Sequence, residues 1–146
     1  MQFLKKLFQR RPKIAKVDIA RRFDLIGRVG QGSMSKVFRA TDTLSGRIVA
    51  LKILDKAKTA RLNRRFVGMS KPTEGDVAST LQHPNNEKTV EHGITTHDEE
   101  YLVMEFLEGV GMSYLVDSQN PRMIKHRLWL LVQLGEAIEY LDQQNE

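Results

Sequence analysis

The sequence has no cysteine, only four prolines and a single tryptophan. Without thiols there are neither disulfides nor thiolate metal sites, which suits a reducing compartment. No apolar run approaches the ~18 residues that cross a bilayer. The opening "MQFLKKLFQRRPK" lacks the apolar stretch and small-residue cleavage site of a secretory signal, so a cytoplasmic location is expected. Four histidines (His83, His92, His97 and His126) include no pair at helical ligand spacing, and no metal site is expected from them. Repeats and low-complexity tracts are absent as well. What is there fits one soluble domain with a core: 146 residues, 40% hydrophobic and 28% charged.

The net charge of +5 is unevenly spread. Residues 1–22 hold eight Lys or Arg against one Asp, a net +7, which leaves −2 for the rest of the chain. Within this basic arm Phe3, Leu4, Leu7 and Phe8 recur at helical spacing beside Lys5, Lys6, Arg10 and Arg11, and Pro12 ends the pattern. Such an amphipathic stretch is a solvated extension with a few residues packed on the domain, or a contact for an anionic membrane surface or an acidic partner.

From Phe23 the pattern is one of short strands. "FDLIGRV", "SKVFRATD" and "RIVALKIL" are predicted strands, the last two joined by a hairpin at "LSG". Residues 56–66 are basic and helix-compatible. Gly68, Pro72 and Gly75 interrupt the next stretch, and Pro72 is expected as the first residue of a helix running to about Leu81. "EKTVEHGITT" and "YLVMEFL" form a second hairpin across "HDEE". Ile124, Leu128, Leu131, Leu134, Ile138 and Leu141 then mark a long amphipathic helix. Three strands, a helix, two strands and a helix make an α+β fold with an antiparallel sheet.

Between the first two strands lies "GRVGQGSMSKVF", residues 27–38. A P-loop would end in Gly-Lys-Ser/Thr and open into a helix, and a dinucleotide fingerprint also needs a helix directly after its glycines. Here a β-branched and aromatic strand comes next, so both fail. A third kind of glycine-rich loop joins two antiparallel strands and covers phosphates as a lid. A hairpin without ligand is the other reading of these glycines. Downstream, alternation in "VALKI" sets Val49, Leu51 and Ile53 toward a core and Ala50 with Lys52 on the other face, about 6.7 Å apart. A lysine among apolar strand residues calls for a fixed anion, phosphate or carboxylate, unless it snorkels to water from an edge strand.

Val29-Gly30-x-Gly32-x-Met34-Ser35-x-Val37 followed by Val49-Ala50-Leu51-Lys52 resembles the ATP-binding signature of eukaryotic-type protein kinases. Glu74, ten residues before Pro84 of "LQHPN", lies where that family's helix C places the glutamate that pairs with the strand lysine. "YLVMEFLEG" is similar to the fifth strand and hinge, and "RLWLLVQLGEAIEYLDQQN" to helix E. The resemblance implies a basic arm at 1–22 and a partial kinase domain at 23–146. Within it the N-lobe, a five-stranded sheet plus helix C, would span 23–103, the hinge 104–111, and the first C-lobe helices, D and E, 112–146.

The same resemblance implies a role for each matched residue. Lys52 would hold the ATP phosphates and Glu74 would hold Lys52. The loop of Gly30, Gln31, Gly32, Ser33, Met34, Ser35 and Lys36 would cover the phosphates. Val29, Val37, Ala50, Met104 (as gatekeeper) and Leu107 would form the adenine slot, with the Glu105 and Leu107 backbones on the adenine edge. Mg2+ would accompany the ATP, and a protein Ser/Thr hydroxyl would be the acceptor; no nucleic acid is expected.

Departures from the family pattern are Ser35 at the third glycine, Met34 at the loop tip, and Gly111 where a polar ribose contact is common. No His-Arg-Asp or Asp-Phe-Gly occurs before Glu146, so the chain is expected to be a fragment that grips nucleotide without the base and metal ligands of phosphoryl transfer. A pseudokinase-like module that binds nucleotide or a partner, and a small-molecule kinase of related fold, are the alternatives.

Overall fold

The computed structural model describes residues 15–68 and 72–144. The arm's amphipathic stretch therefore lies outside the described residues. A short helix α1 (Ile19–Arg22), capped by the Asp18 carboxylate, leads into β1 (Phe23–Gln31), β2 (Ser35–Asp42) and β3 (Arg47–Leu54). Then come α2 (Lys56–Asn63) with a 3-10 turn (Arg64–Phe66), α3 (Glu74–Thr80), β4 (Thr89–Ile94), β5 (Glu100–Glu105), α4 (Met112–Asp117) and α5 (Pro121–Gln143). The strands form one antiparallel sheet in the order β1-β2-β3-β5-β4. No helix among the described residues is long and apolar enough to cross a membrane.

The α+β class and the five strands are as the hydropathy pattern predicts, and β2 and β3 begin and end on the expected residues. One expectation is corrected at α3. Pro72 precedes the helix rather than opening it, because Thr73 is the N-cap: its hydroxyl accepts the Asp76 N–H while the Asp76 carboxylate accepts the Thr73 N–H. This reciprocal box satisfies two amide donors that Pro72 at the first position would leave to water. The Asp76 carboxyl is held below its ordinary range first by a hydrogen bond donated by the Thr73 hydroxyl at 2.7 Å and then by the Thr73 N–H. Gly75, read from the sequence as a breaker, lies inside the helix and is buried.

The sheet buries both faces. Phe23, Ala40, Val49, Leu51, Tyr101 and Val103 pack on one side with Val17, Ile19 and Ile53. Ala50, Leu54, Leu102 and Met104 pack on the other with Val37, Ala78 and Phe106. The first face is tied by Arg22, whose guanidinium donates to both oxygens of Glu91 at 2.5 and 2.7 Å and to Asp42 at 3.3 Å. The Tyr101 hydroxyl donates to the same Glu91 at 2.6 Å. On the second face α3 covers β4. Under the 81–86 segment, α5 is fastened by few contacts. The Gln82 N–H donates to the Tyr140 hydroxyl at 2.9 Å, and the Asn85 amide to the Gln133 carbonyl at 3.0 Å.

Candidate nucleotide site

Strand register brings the site together. Gly30 of β1 pairs with Val37 of β2, Val37 with Lys52 of β3, and Lys52 with Leu102 of β5. These four lie in one row across the sheet, and partners directly opposite share a face. One step along β3 on that face, Ala50 pairs with Met104. The glycine-bearing turn, the lysine and an apolar patch of Val37, Ala50 and Met104 are thus held by backbone hydrogen bonds. Lys36 pairs with Ile53 and so belongs to the opposite face, away from Lys52.

The Lys52 ammonium makes an ion pair with the Glu74 carboxylate of α3. The two side chains are 25% and 45% exposed, so the pair is open to solvent on one side and available to a further anion. The edge-strand reading of Lys52 fails, since β3 is flanked by β2 and β5. Glu87, which the sequence did not single out, carries a carboxyl raised above its ordinary range, first by burial and then by the nearby Glu105 charge, with Lys52 opposing. It lines the cleft between the sheet and α5 with Glu105, Leu107 and Leu134. A lone charge in the polar run "HPNNEK" gave no periodic signal that would have marked it.

The loop is a strand–turn–strand, as the failed helix motifs required. Gln31 pairs with Lys36, and the Gly32 N–H donates to the Ser35 carbonyl at 3.0 Å. Its tip is tethered from outside the sheet: Lys58 of α2 donates to the Ser33 carbonyl at 2.7 Å, and the Asp55 N–H to the Met34 carbonyl at 2.8 Å. A Cβ on Gly30 would meet only Val37, at an ordinary 3.7 Å. The protein's own packing does not demand glycine there, so what it keeps open is the space outside.

The remaining slot residues are spread more widely. Val29 and Leu107 are 54% and 62% exposed. The Glu105 N–H is spent on the Lys88 carbonyl at 3.0 Å, and its carboxylate accepts the Lys88 N–H at 2.8 Å, fixing the strand just before the connection to α4. Phe106 is next in the chain, with the Arg39 guanidinium 4.9 Å above its ring. Gly111 is the N-cap of α4 and offers no side chain. Among the described residues no group of three His, Asp or Glu side chains is placed to hold a metal ion.

Fold and site together define a class. The protein kinase domain model matches residues 23–145, and the chain belongs to that family. It is 32% identical over 127 residues to the serine/threonine-protein kinase PrkC of Bacillus subtilis, and 31% over 120 residues to a probable cyclin-dependent kinase 10 of Dictyostelium discoideum. These alignments cover 86% and 82% of this chain but 19% and 32% of the relatives, so the chain spans a minor part of their length. Among solved structures, Rad53 residues 1–466 in complex with AMP-PNP matches 99% of this chain and 35% of that one, with 26% identity and a TM-score of 0.69. The Mycobacterium tuberculosis PknI kinase domain shares the fold at 21% identity, with a TM-score of 0.62 over 84% of this chain and 48% of that one.

Proposed function

We propose that this chain is the ATP-binding part of a serine/threonine protein kinase, which in the whole protein transfers the γ-phosphate of ATP to a Ser or Thr hydroxyl of a protein substrate. The observation that carries the reading is the Lys52–Glu74 ion pair, placed in the row of Gly30 and Val37 beneath the loop. Glu74 holds the ammonium in position, and Lys52 presents it to the α- and β-phosphates. The loop from Gly30 to Ser35 closes over the phosphates, with its Gly32 N–H taken by the Ser35 carbonyl. Val37, Ala50 and Met104 supply the apolar surface on which adenine lies, and the backbone of Glu105 and Leu107 borders its edge. Binding of AMP-PNP by the Rad53 relative supports a nucleotide of this kind. Mg2+ accompanying the ATP would supply neutralisation of phosphate charge, while Lys52 and the loop would hold the phosphates.

Taken alone, the 146 residues bind nucleotide weakly and transfer nothing, because they present one wall of the slot and neither base nor metal ligands. Calorimetric titration with Mg·ATP tests this. The expected affinity is weaker than about micromolar and is lost in Lys52→Ala. Sub-micromolar binding, or binding unchanged by Lys52→Ala, contradicts the assignment. Phosphate transfer to a basic protein acceptor by this chain, abolished by Lys52→Ala, contradicts the inactivity.

A further inference from the structure

A cleft of about 240 Å³ behind the glycine-rich loop is lined by Lys36 and Ile53, and by Asp55 and Lys58 at the start of α2. Lys36 and Ile53 point away from Lys52, so this cleft lies across the loop from the candidate nucleotide site. Three hydrogen bonds lock the corner between loop and helix. The Asp55 N–H donates to the Met34 carbonyl at 2.8 Å, and the Asp55 carboxylate accepts the Lys58 N–H at 3.0 Å. With its backbone fixed in this way, Lys58 reaches back and donates its ammonium to the Ser33 carbonyl at 2.7 Å.

Holding that carbonyl also aims a donor. A trans peptide is planar, and its C=O and N–H point in opposite directions. Lys58 draws the Ser33 carbonyl toward the Lys36 face of the loop. The N–H of the same peptide, which belongs to Met34, is therefore turned toward the Lys52 face. Turned over, this peptide would present its carbonyl oxygen there instead, and an anion held by Lys52 would be repelled. The Gly32 N–H cannot substitute, because the Ser35 carbonyl already accepts it.

We propose that Lys58 is a positioning residue for the nucleotide phosphates. It stands across the loop from them, and by holding the Ser33 carbonyl it keeps the Met34 N–H facing them. The inference rests on the nucleotide-binding reading above and adds to it a residue outside the slot. A hydrogen bond from a charged donor to a backbone carbonyl is strong enough to hold one peptide plane against rotation.

Calorimetric titration with Mg·ATP and with adenosine, which has no phosphates, tests this in the full chain. Lys58→Met should weaken Mg·ATP about fivefold and leave adenosine within about twofold of native. Arg61→Met removes the same charge from an exposed position one turn further along α2, and should shift neither ligand more than about twofold. Equal losses for the two ligands would make Lys58 a support of the whole slot, and equal losses in the two variants would leave only distant charge. Either result overturns the proposal, as does Mg·ATP binding that Lys58→Met leaves unchanged. If the native chain binds neither ligand, the nucleotide reading itself falls and this inference falls with it. Hydrogen exchange without nucleotide reads the tether separately. Amides of residues 31–36 should exchange about threefold faster in Lys58→Met than in the native chain, with β3 and β5 unchanged. Equal exchange in the two chains overturns the proposal whatever the nucleotide results.

Discussion

A Cβ on Gly75 would stand 2.5 Å from the ring of His92, so α3 rests on β4 at a point where only hydrogen fits. Glu74 is the preceding residue, and the reach of its carboxylate to Lys52 depends on that seating. Gly75→Ala should therefore weaken the protein even though alanine favours a helix by about 1 kcal/mol. Overpacking of this kind costs roughly 1–3 kcal/mol, and the helix must lift. The expected outcome is a lower melting temperature together with weaker Mg·ATP binding. Adding His92→Ala should restore both, which a purely local helix effect would not do.

The Arg22 cluster should dominate acid sensitivity. The Glu91 carboxyl is held below its ordinary range by the Arg22 hydrogen bonds, and Asp42, despite burial, by bonds from Arg22 and Ser45. Carboxyls depressed in the folded state add stability above their unfolded values, near pH 4, and lose it as pH falls through the lower folded values. Urea midpoints should fall steeply below about pH 4. Arg22→Met should cost about 2 kcal/mol at pH 7 and flatten that acid limb. It falls short of the roughly 3–5 kcal/mol of a fully buried pair because Glu91 is 36% exposed.

Glu87 and Glu100 should show the opposite sign. Both are raised by burial and by neighbouring acids, so ionisation opposes the fold above their folded values. Glu87→Gln and Glu100→Gln should each raise the melting temperature at pH 7. The gain should vanish near pH 4, where the native carboxyls are protonated. A gain that is equal at both values of pH would mean that packing, not charge, is responsible.

The outer face of α5 should make this chain self-associate. Ile124, Leu128, Leu131 and Ile138 are 67%, 73%, 59% and 56% exposed, at helical spacing along one stripe. Contiguous apolar surface of several hundred Å² drives association. Light scattering should show oligomers that grow with concentration, and replacing the four with Gln or Lys should return a monomer with the sheet's stability unchanged.

The strands were legible because their signal is local. Alternation in "RIVALKIL" and the turn at "LSG" depend on residues within one pairing distance, and β2 and β3 match residue for residue. The glycine loop was legible for the same reason: it runs into a strand, and that alone separates it from a P-loop. The position of Lys52 within a central strand could be read, and so could its need for an anion. Its partner came only through resemblance, because Glu74 is 22 residues away and no local period links them.

Only the tertiary structure decided where α3 sits. Thr73 outcompeted Pro72 as the start of the helix because a side-chain cap needs the fold's backbone geometry, not just composition. Gly75, a breaker by propensity, became the contact point because β4 brings His92 against it. Lys58 reaches the Ser33 carbonyl, and Glu87 the field of Lys52, across loops whose closure the sequence does not encode in any single window. Backbone pairing and hydrophobic alternation are short-range and survive in one dimension. Close approach and burial of charge exist only once distant segments exclude water from one another.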